Sequence, residues 1–393
     1  MDGLLPPGWP GDLLAGLQQA QLALRAALHA LGLAPDLHGQ PAWPFAWRIA
    51  GEMLALDAGH ARRVAASLAC LALAVLALAL ALFWRRARPA LGALALAALL
   101  LAPWPQAGLL LAPATPTSFH ASPSGFTAEG IVRGQRLYAQ QCLRCHGPDG
   151  RGEGPDTPAL AMWPPTLNGS LLWKRMEGEL FWRVRHGLAG RDGRPTMPGL
   201  GGQPSDVQVW ELLDFLQAQA AGQTLRESGA WAQPVRLPDG PVRCLRGNRR
   251  TARSLAGQRV RLEVPLAGAP APADDPRLVT LQLALPLSLS GAPPAPPGPD
   301  CEMAGAAARA ALALVLGVAL DALPGHQVMV DRQGWLRAVG RPGRAGWSED
   351  DLVCRSEARP APGVAAPAAD GLDGLIRRMD AEPVRPVRGG FAH

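Results

Sequence analysis

Cys142-Leu143-Arg144-Cys145-His146 is the stretch on which the reading of this chain turns. Two thiols separated by two residues and followed at once by a histidine form the attachment signature of a c-type haem. The spacing has a chemical reason: each thiol can add across one haem vinyl group, and the adjacent histidine then lies under the porphyrin as the proximal iron ligand. A zinc knuckle would need a second Cys/His pair nearby, but the next cysteine is Cys244. A thioredoxin-type pair should follow a strand and open a helix. This pair ends a helical stretch and precedes a glycine-rich loop, so the haem reading is the one carried forward.

Outward from the motif, residues 124–220 supply the parts of a small all-α fold around one haem c. Ala128 to Gln141 reads as a helix with Ile131, Leu137 and Tyr138 inward and Gly134 allowing close backbone approach. Gly147 to Pro155 is too rich in glycine for helix or strand and can wrap a haem edge. A backbone carbonyl in that loop can accept the second ring N–H of His146. Ser205 with Gln208 forms a capping box, after which Val209, Leu212, Leu213 and Leu216 recur at helical spacing beside Trp210 and Phe215. A sixth iron ligand is expected from Met197, in the proline-held loop Arg194-Pro195-Thr196-Met197-Pro198-Gly199. Met162, Met176 and His186 compete with it, and a methionine that ligates nothing usually fills core.

These motifs together resemble a class I cytochrome c: Gly134-x-x-Leu137-Tyr138 before the haem motif, Gly150-x-Gly152-x-Gly154-Pro155 after it, Thr196-Met197-Pro198-Gly199, and the closing Trp210 to Leu216. The resemblance implies that the Pro155 carbonyl partners His146 and that Met197 is the distal ligand. The segment from Thr157 to Leu180, with Trp163, Trp173 and Lys174, follows the pattern poorly and is expected to shape the propionate side.

Upstream of the haem region, Val64 to Phe83 is twenty residues without a charge. At ~1.5 Å per residue it spans about 30 Å, the thickness of a bilayer core. A second apolar run, Pro89 to Ala112, is broken by Pro103-Trp104-Pro105, and the short connection between them carries Arg85, Arg86 and Arg88. Residues 62–112 therefore read as a transmembrane helical hairpin with its basic turn in the cytoplasm. Covalent haem attachment takes place outside the bacterial cytoplasmic membrane, and both arguments put everything after residue 112 in the periplasm. In residues 1–61, positions 11–34 read as a surface amphipathic helix. The start lacks a charged region followed by a small-residue cleavage site, so no cleavable signal peptide is expected. Residues 113–123 read as a linker. That segment, with His38 to Phe45, resembles the parts of copper-resistance-D-type membrane proteins that join a membrane domain to a periplasmic cytochrome.

Residues 221–358 read as an α+β domain and 359–393 as a disordered tail rich in Pro, Ala and Arg. A strand at Val260–Val264, a buried helix from Ala306 to Leu323 and a hairpin turned at Asp331 to Gly334 follow one another. The order resembles a thioredoxin-like domain, but Ala267-Gly268-Ala269-Pro270 stands where that family carries its redox cysteines. Cys244, Cys301 and Cys354 allow one disulfide with one thiol left over, and spacing does not choose the pair.

Composition excludes more than it selects. The net charge of +6 over 393 residues is scattered, Lys174 is the only lysine, and no basic stripe with interleaved aromatics exists for base stacking. Nucleic acid is therefore not an expected partner. The expected role is that of a non-enzymatic, membrane-anchored mono-haem cytochrome c in the inner membrane, passing single electrons to other redox proteins or a membrane oxidoreductase. Two rivals stand beside it: a haem-containing accessory protein of a copper-homeostasis system, for which the eight scattered histidines provide no cluster, and a thiol-redox protein with a haem regulator.

Overall fold

The computed structural model describes residues 9–50, 58–169, 175–231, 233–245, 250–268, 274–284, 298–343, 346–354, 371–387 and 390–392. Trp173 and Lys174 lie outside them, as do Ala269 and Pro270. The chain divides into two compact units, with the boundary between His120 and Ala121.

In the first unit, α1 (Trp9–Ala30) matches the expected amphipathic helix. Its Leu13 and Leu17 pack on Ala61 and Val64 of α2 (Ala58–Phe83). By length and composition α2 is able to cross a membrane, the one such helix among the described residues. The second apolar run divides: α3 (Arg88–Leu101) is 14 residues long and stops before Pro103. At ~1.5 Å per residue it covers about 21 Å, short of a bilayer core. Ala74, Ala77, Ala95 and Ala98 form the contact between α2 and α3, small side chains that let two backbones approach. Further strands are β1 (Asp36–Leu37) and β2 (Gln40–Pro41), a hairpin, and β3 (Trp47–Ile49) paired with β4 (Leu111–Pro113).

The boundary between the units falls inside the expected linker, residues 113–123, and part of that segment is packed. Thr117, Ser118, Phe119 and His120 are all buried, Phe119 lies 4.7 Å from Trp43 ring to ring, and His120 Nε2 is 3.2 Å from the Pro41 carbonyl. The Thr115 N–H donates to the Ser118 hydroxyl at 2.9 Å, closing a turn within the segment.

In the second unit, α4 (Ala128–Gln141), α6 (Glu177–His186) and α7 (Asp206–Ser228) surround a core of Tyr138, Phe181, Val209, Trp210, Leu212 and Phe215, with α5 (Leu143–His146) a single turn after α4. Between α6 and α7 a small hairpin pairs β5 (Leu188–Ala189) with β6 (Pro195–Met197). The crossing of α4 and α7 depends on Gly134, where a Cβ would stand 2.0 Å from the Glu211 carbonyl oxygen. Arg133 bridges the same crossing with a two-pronged ion pair to the buried Glu211.

The C-terminal region is mixed α/β. Six strands run in the order β12-β11-β8-β9-β10-β7: β12 (Leu336–Gly340), β11 (Gln327–Val330), β8 (Val260–Glu263), β9 (Val279–Leu283), β10 (Cys301–Met303) and β7 (Val242–Cys244). β8, β9 and β10 are parallel to their neighbours among themselves, while β11, β12 and β7 pair antiparallel. The expected hairpin is β11–β12, and the expected helix is α8 (Ala306–Leu316). Of the three cysteines, Cys244 pairs with Cys301 across β7 and β10, and Cys354 is free and buried.

Two expected boundaries shift. A division after residue 220 would cut α7, which continues to Ser228; its Ala218 and Ala221 join Phe126, Ala128 and Ile131 in the same core as Leu262, Leu281 and Leu312. Gly222 meets the Leu314 carbonyl of α8 so closely that a Cβ would stand 1.8 Å from it. Part of the expected disordered tail is also a helix, α9 (Leu372–Ala381). Leu375, Ile376 and Met379 share one face, which packs on Leu278, Met329 and Leu352. Average composition hid that apolar face, since only helical spacing gathers it.

Candidate haem-binding site

Helix α4 begins with a capped turn, the Thr127 side chain accepting from the Gly130 N–H, and ends where Cys142 starts the turn Leu143–His146. The glycine-rich loop then folds back beneath that turn. The carbonyls of Arg144, Cys145 and His146 accept N–H groups of Asp156, Gly154 and Gly152 at 2.9, 3.2 and 2.9 Å. Thr157 Oγ1 donates to the Cys145 and Gly152 carbonyls at 2.8 and 2.9 Å. Tyr138 adds a hydrogen bond of 2.6 Å to the Gly147 carbonyl, and Gln219 and Gln223 of α7 reach the Pro148 and Asp149 carbonyls at 2.7 and 2.8 Å. Every backbone acceptor around the turn is thus tied down, and the two cysteines and the histidine are held on one rigid segment.

His146 is buried, and its Nδ1 closes no hydrogen bond of full geometry. Burial lowers its pKa, opposed by the Pro165 carbonyl. The Pro165 carbonyl thus lies near enough to the ring to favour its charged form. Gly152 and Gly154 turn back to the haem motif, and Pro155 beyond them is exposed.

Met197 is half-buried at the end of β6, opposite Leu188. Gly187 and Gly199 close the base of this hairpin; a Cβ on Gly187 would lie 2.5 Å from the Met197 carbonyl. Beneath it is a residue that reading the sequence missed. The guanidinium of Arg185 is buried and donates to the carbonyls of Gly201 and Pro204 and to Asp206. An arginine in a helix of alternating charge reads as solvated, and nothing local marks it as a loop clamp. Of the rivals to Met197, Met176 is buried core, Met162 is exposed, and His186 is exposed against the Trp182 ring at 3.8 Å.

The residues present fit a covalently held haem. Cys142 and Cys145 are both free thiols, half-buried, beside a buried imidazole with an open Nδ1. Around them Leu143, Leu167, Val184 and Leu200 lie against the helical core yet remain partly uncovered, an apolar fringe suited to a flat apolar cofactor.

Residues 129–216 match the family model described as cytochrome c oxidase, cbb3-type, subunit III. The chain thus contains a c-type cytochrome module, and such a module implies covalently bound haem c. Among solved structures, a reducing HAO-like protein complex of Kuenenia stuttgartiensis is 20% identical over 32% of this chain and 59% of that one, with a TM-score of 0.22. A similarity that loose bears on neither fold nor activity, and this chain spans little more than half of that protein. No curated protein matches the chain.

Proposed function

From this c-type cytochrome module, we propose that the chain is a membrane-anchored mono-haem cytochrome c that carries single electrons on the periplasmic side of the inner membrane, between redox proteins or to a membrane oxidoreductase. The observation that carries the reading is the rigid Cys142–His146 turn, with two free thiols and a buried histidine, inside the region that matches the cytochrome family. Haem c supplies an iron that gains and loses one electron without bond-making at the protein. The thiols of Cys142 and Cys145 hold the group, His146 provides the proximal ligand and Met197 the distal one. Pro165 sets the orientation of the imidazole, as outer-shell acceptors do. Arg185 is a positioning residue that keeps the Met197 hairpin from moving, which suits a carrier whose ligands should be the same in both oxidation states. A single C-x-x-C-H supports one haem.

Helix α2, with α3 packed against it, is the anchor, and it raises the effective concentration of the haem near membrane partners. The Cys244–Cys301 disulfide suits an oxidising compartment. A thiol-exchange role has less support, because burial pushes the one free C-terminal thiol, Cys354, up to about 11.

Visible spectra of the purified protein, oxidised and reduced, test the proposal. A haem c spectrum with the weak near-infrared methionine–iron band is expected; Met197→Ala should abolish that band and lower the midpoint potential. Absence of covalent haem after expression with a haem-attachment system overturns the whole reading, and a band that survives Met197→Ala moves the ligand elsewhere.

A further inference from the structure

A cavity of about 390 Å³ lies on the second unit, away from the haem-binding residues, between the segment that leads into α4 and the β8–β11 end of the sheet. Its floor is apolar, formed by Leu237, Leu255, Val260 and Val330. Two arginines, Arg236 and Arg253, stand in its wall. Each is held in place by one bond to a backbone carbonyl: Arg236 donates to Gln333 at 3.1 Å, and Arg253 donates to Gly125. The Arg236 guanidinium also lies over the Trp335 ring, its carbon 4.1 Å from the centroid. A guanidinium has five N–H donors, so both keep donors that these contacts do not use.

Neither arginine has a carboxylate within ion-pair distance among the described residues. Asp331 also lines the cavity, but it is buried and already engaged: Oδ1 accepts the N–H groups of Gln333 and Trp335, both at 2.9 Å, and Oδ2 faces the buried Arg337. Asp331 and Glu177 favour the charge on Arg236 only from a distance, while desolvation and then Arg253 weigh against it. Asp214 acts on Arg253 likewise from a distance, and Asp239 accepts the Arg253 backbone N–H at 2.8 Å, not its guanidinium. Two guanidinium groups therefore share one concave site without an ion-paired carboxylate, an arrangement that an anion relieves.

We propose that this cavity binds a small organic anion, its carboxylate or phosphate group between Arg236 and Arg253 and its apolar body on the floor of Leu237, Leu255, Val260 and Val330. The volume, well beyond that of a bare oxyanion and within the range of small-molecule sites, points to a ligand with a body. Arginine's planar fork suits both carboxylate and phosphate, and shared recognition of the two is expected.

The test uses the full-length, haem-loaded protein in detergent and isothermal titration calorimetry with four probes: phenyl phosphate, benzoate, inorganic phosphate and phenol. Phenyl phosphate or benzoate should bind, with phenol and inorganic phosphate each weaker by roughly tenfold or more. Arg236→Gln and Arg253→Gln should each weaken the aromatic anion by roughly tenfold or more, with Arg236→Lys recovering part of the loss. Unchanged melting and haem spectra would show that the variants are folded. The proposal fails if wild type binds neither aromatic anion, if phenol binds as well as phenyl phosphate, or if both folded glutamine variants bind like wild type. Equal binding of inorganic phosphate and phenyl phosphate would also overturn it, by removing the apolar floor from recognition. Because the wild-type arms need no variant, misfolding of a mutant leaves the proposal open to refutation.

Discussion

The helical and α/β halves of the second unit share α7 but reach stability by different means. The helical half has a small core, Tyr138 to Leu216, with an apolar fringe at Leu143, Leu167, Val184 and Leu200 left partly uncovered. The α/β half buries the side chains of its central strands against α7 and α8, and ties its edge strand β7 to β10 with Cys244–Cys301. The haem c that the module implies would complete one core, and the other is closed by its own chain. The contrast explains why about ninety residues suffice for the haem module, because the cofactor provides apolar area that the chain does not.

The largest effect that would test this contrast is removal of haem attachment by Cys142→Ser with Cys145→Ser. Amide exchange should become fast in Glu177–His186 and Pro195–Met197, while β8 and β11 stay protected. If β8 and β11 lose protection in step, the halves form one cooperative unit and the comparison breaks. Next in size is reduction of Cys244–Cys301, whose partners are 57 residues apart in sequence. It should cost the α/β half about 2–4 kcal/mol in denaturant unfolding and leave the haem spectrum unchanged. A spectral change that follows reduction would tie the disulfide to the haem site.

The smallest effect is one of pH, and it belongs to the helix both halves share. Asp214 is buried, and burial pushes its carboxyl up to about 7; the hydrogen bond from Ser124 and the charge of Arg253 oppose the rise, while Glu177 and Glu211 add to it. Between the ordinary carboxyl value and 7 the native state binds more protons than the unfolded chain. The stabilisation is thus complete below the unfolded value and is lost as pH rises through 7. From pH 5 to pH 8 the wild type should lose roughly 2 kcal/mol, and Asp214→Asn should flatten that slope. A wild type equally stable at both pH values would refute the assignment.

Much of the haem site was legible because its chemistry is local. The C-x-x-C-H turn, the Gly134 contact and the Ser205–Gln208 capping box each lie within a few residues or announce themselves by residue type. The Asp331–Gly334 turn was legible for the same reason. The approach of the Pro165 carbonyl to His146 was not, since those residues are 19 apart and only the path of the intervening loop brings them near. Arg185 was illegible too, because its burial depends on three partners 16 to 21 residues away.

By itself the sequence determined the cofactor class, the apolar helix and the presence of strands and hairpin in the C-terminal third. Covalent attachment, spanning length and side-chain alternation are short-range properties of a chain. Tertiary structure alone decided that Cys244 pairs with Cys301, that α7 serves two cores, and that residues 117–120 are buried. It also brought Arg236 and Arg253 to one cavity. Each of these joins residues distant in sequence, and which distant surfaces meet is set by packing, which no local pattern encodes.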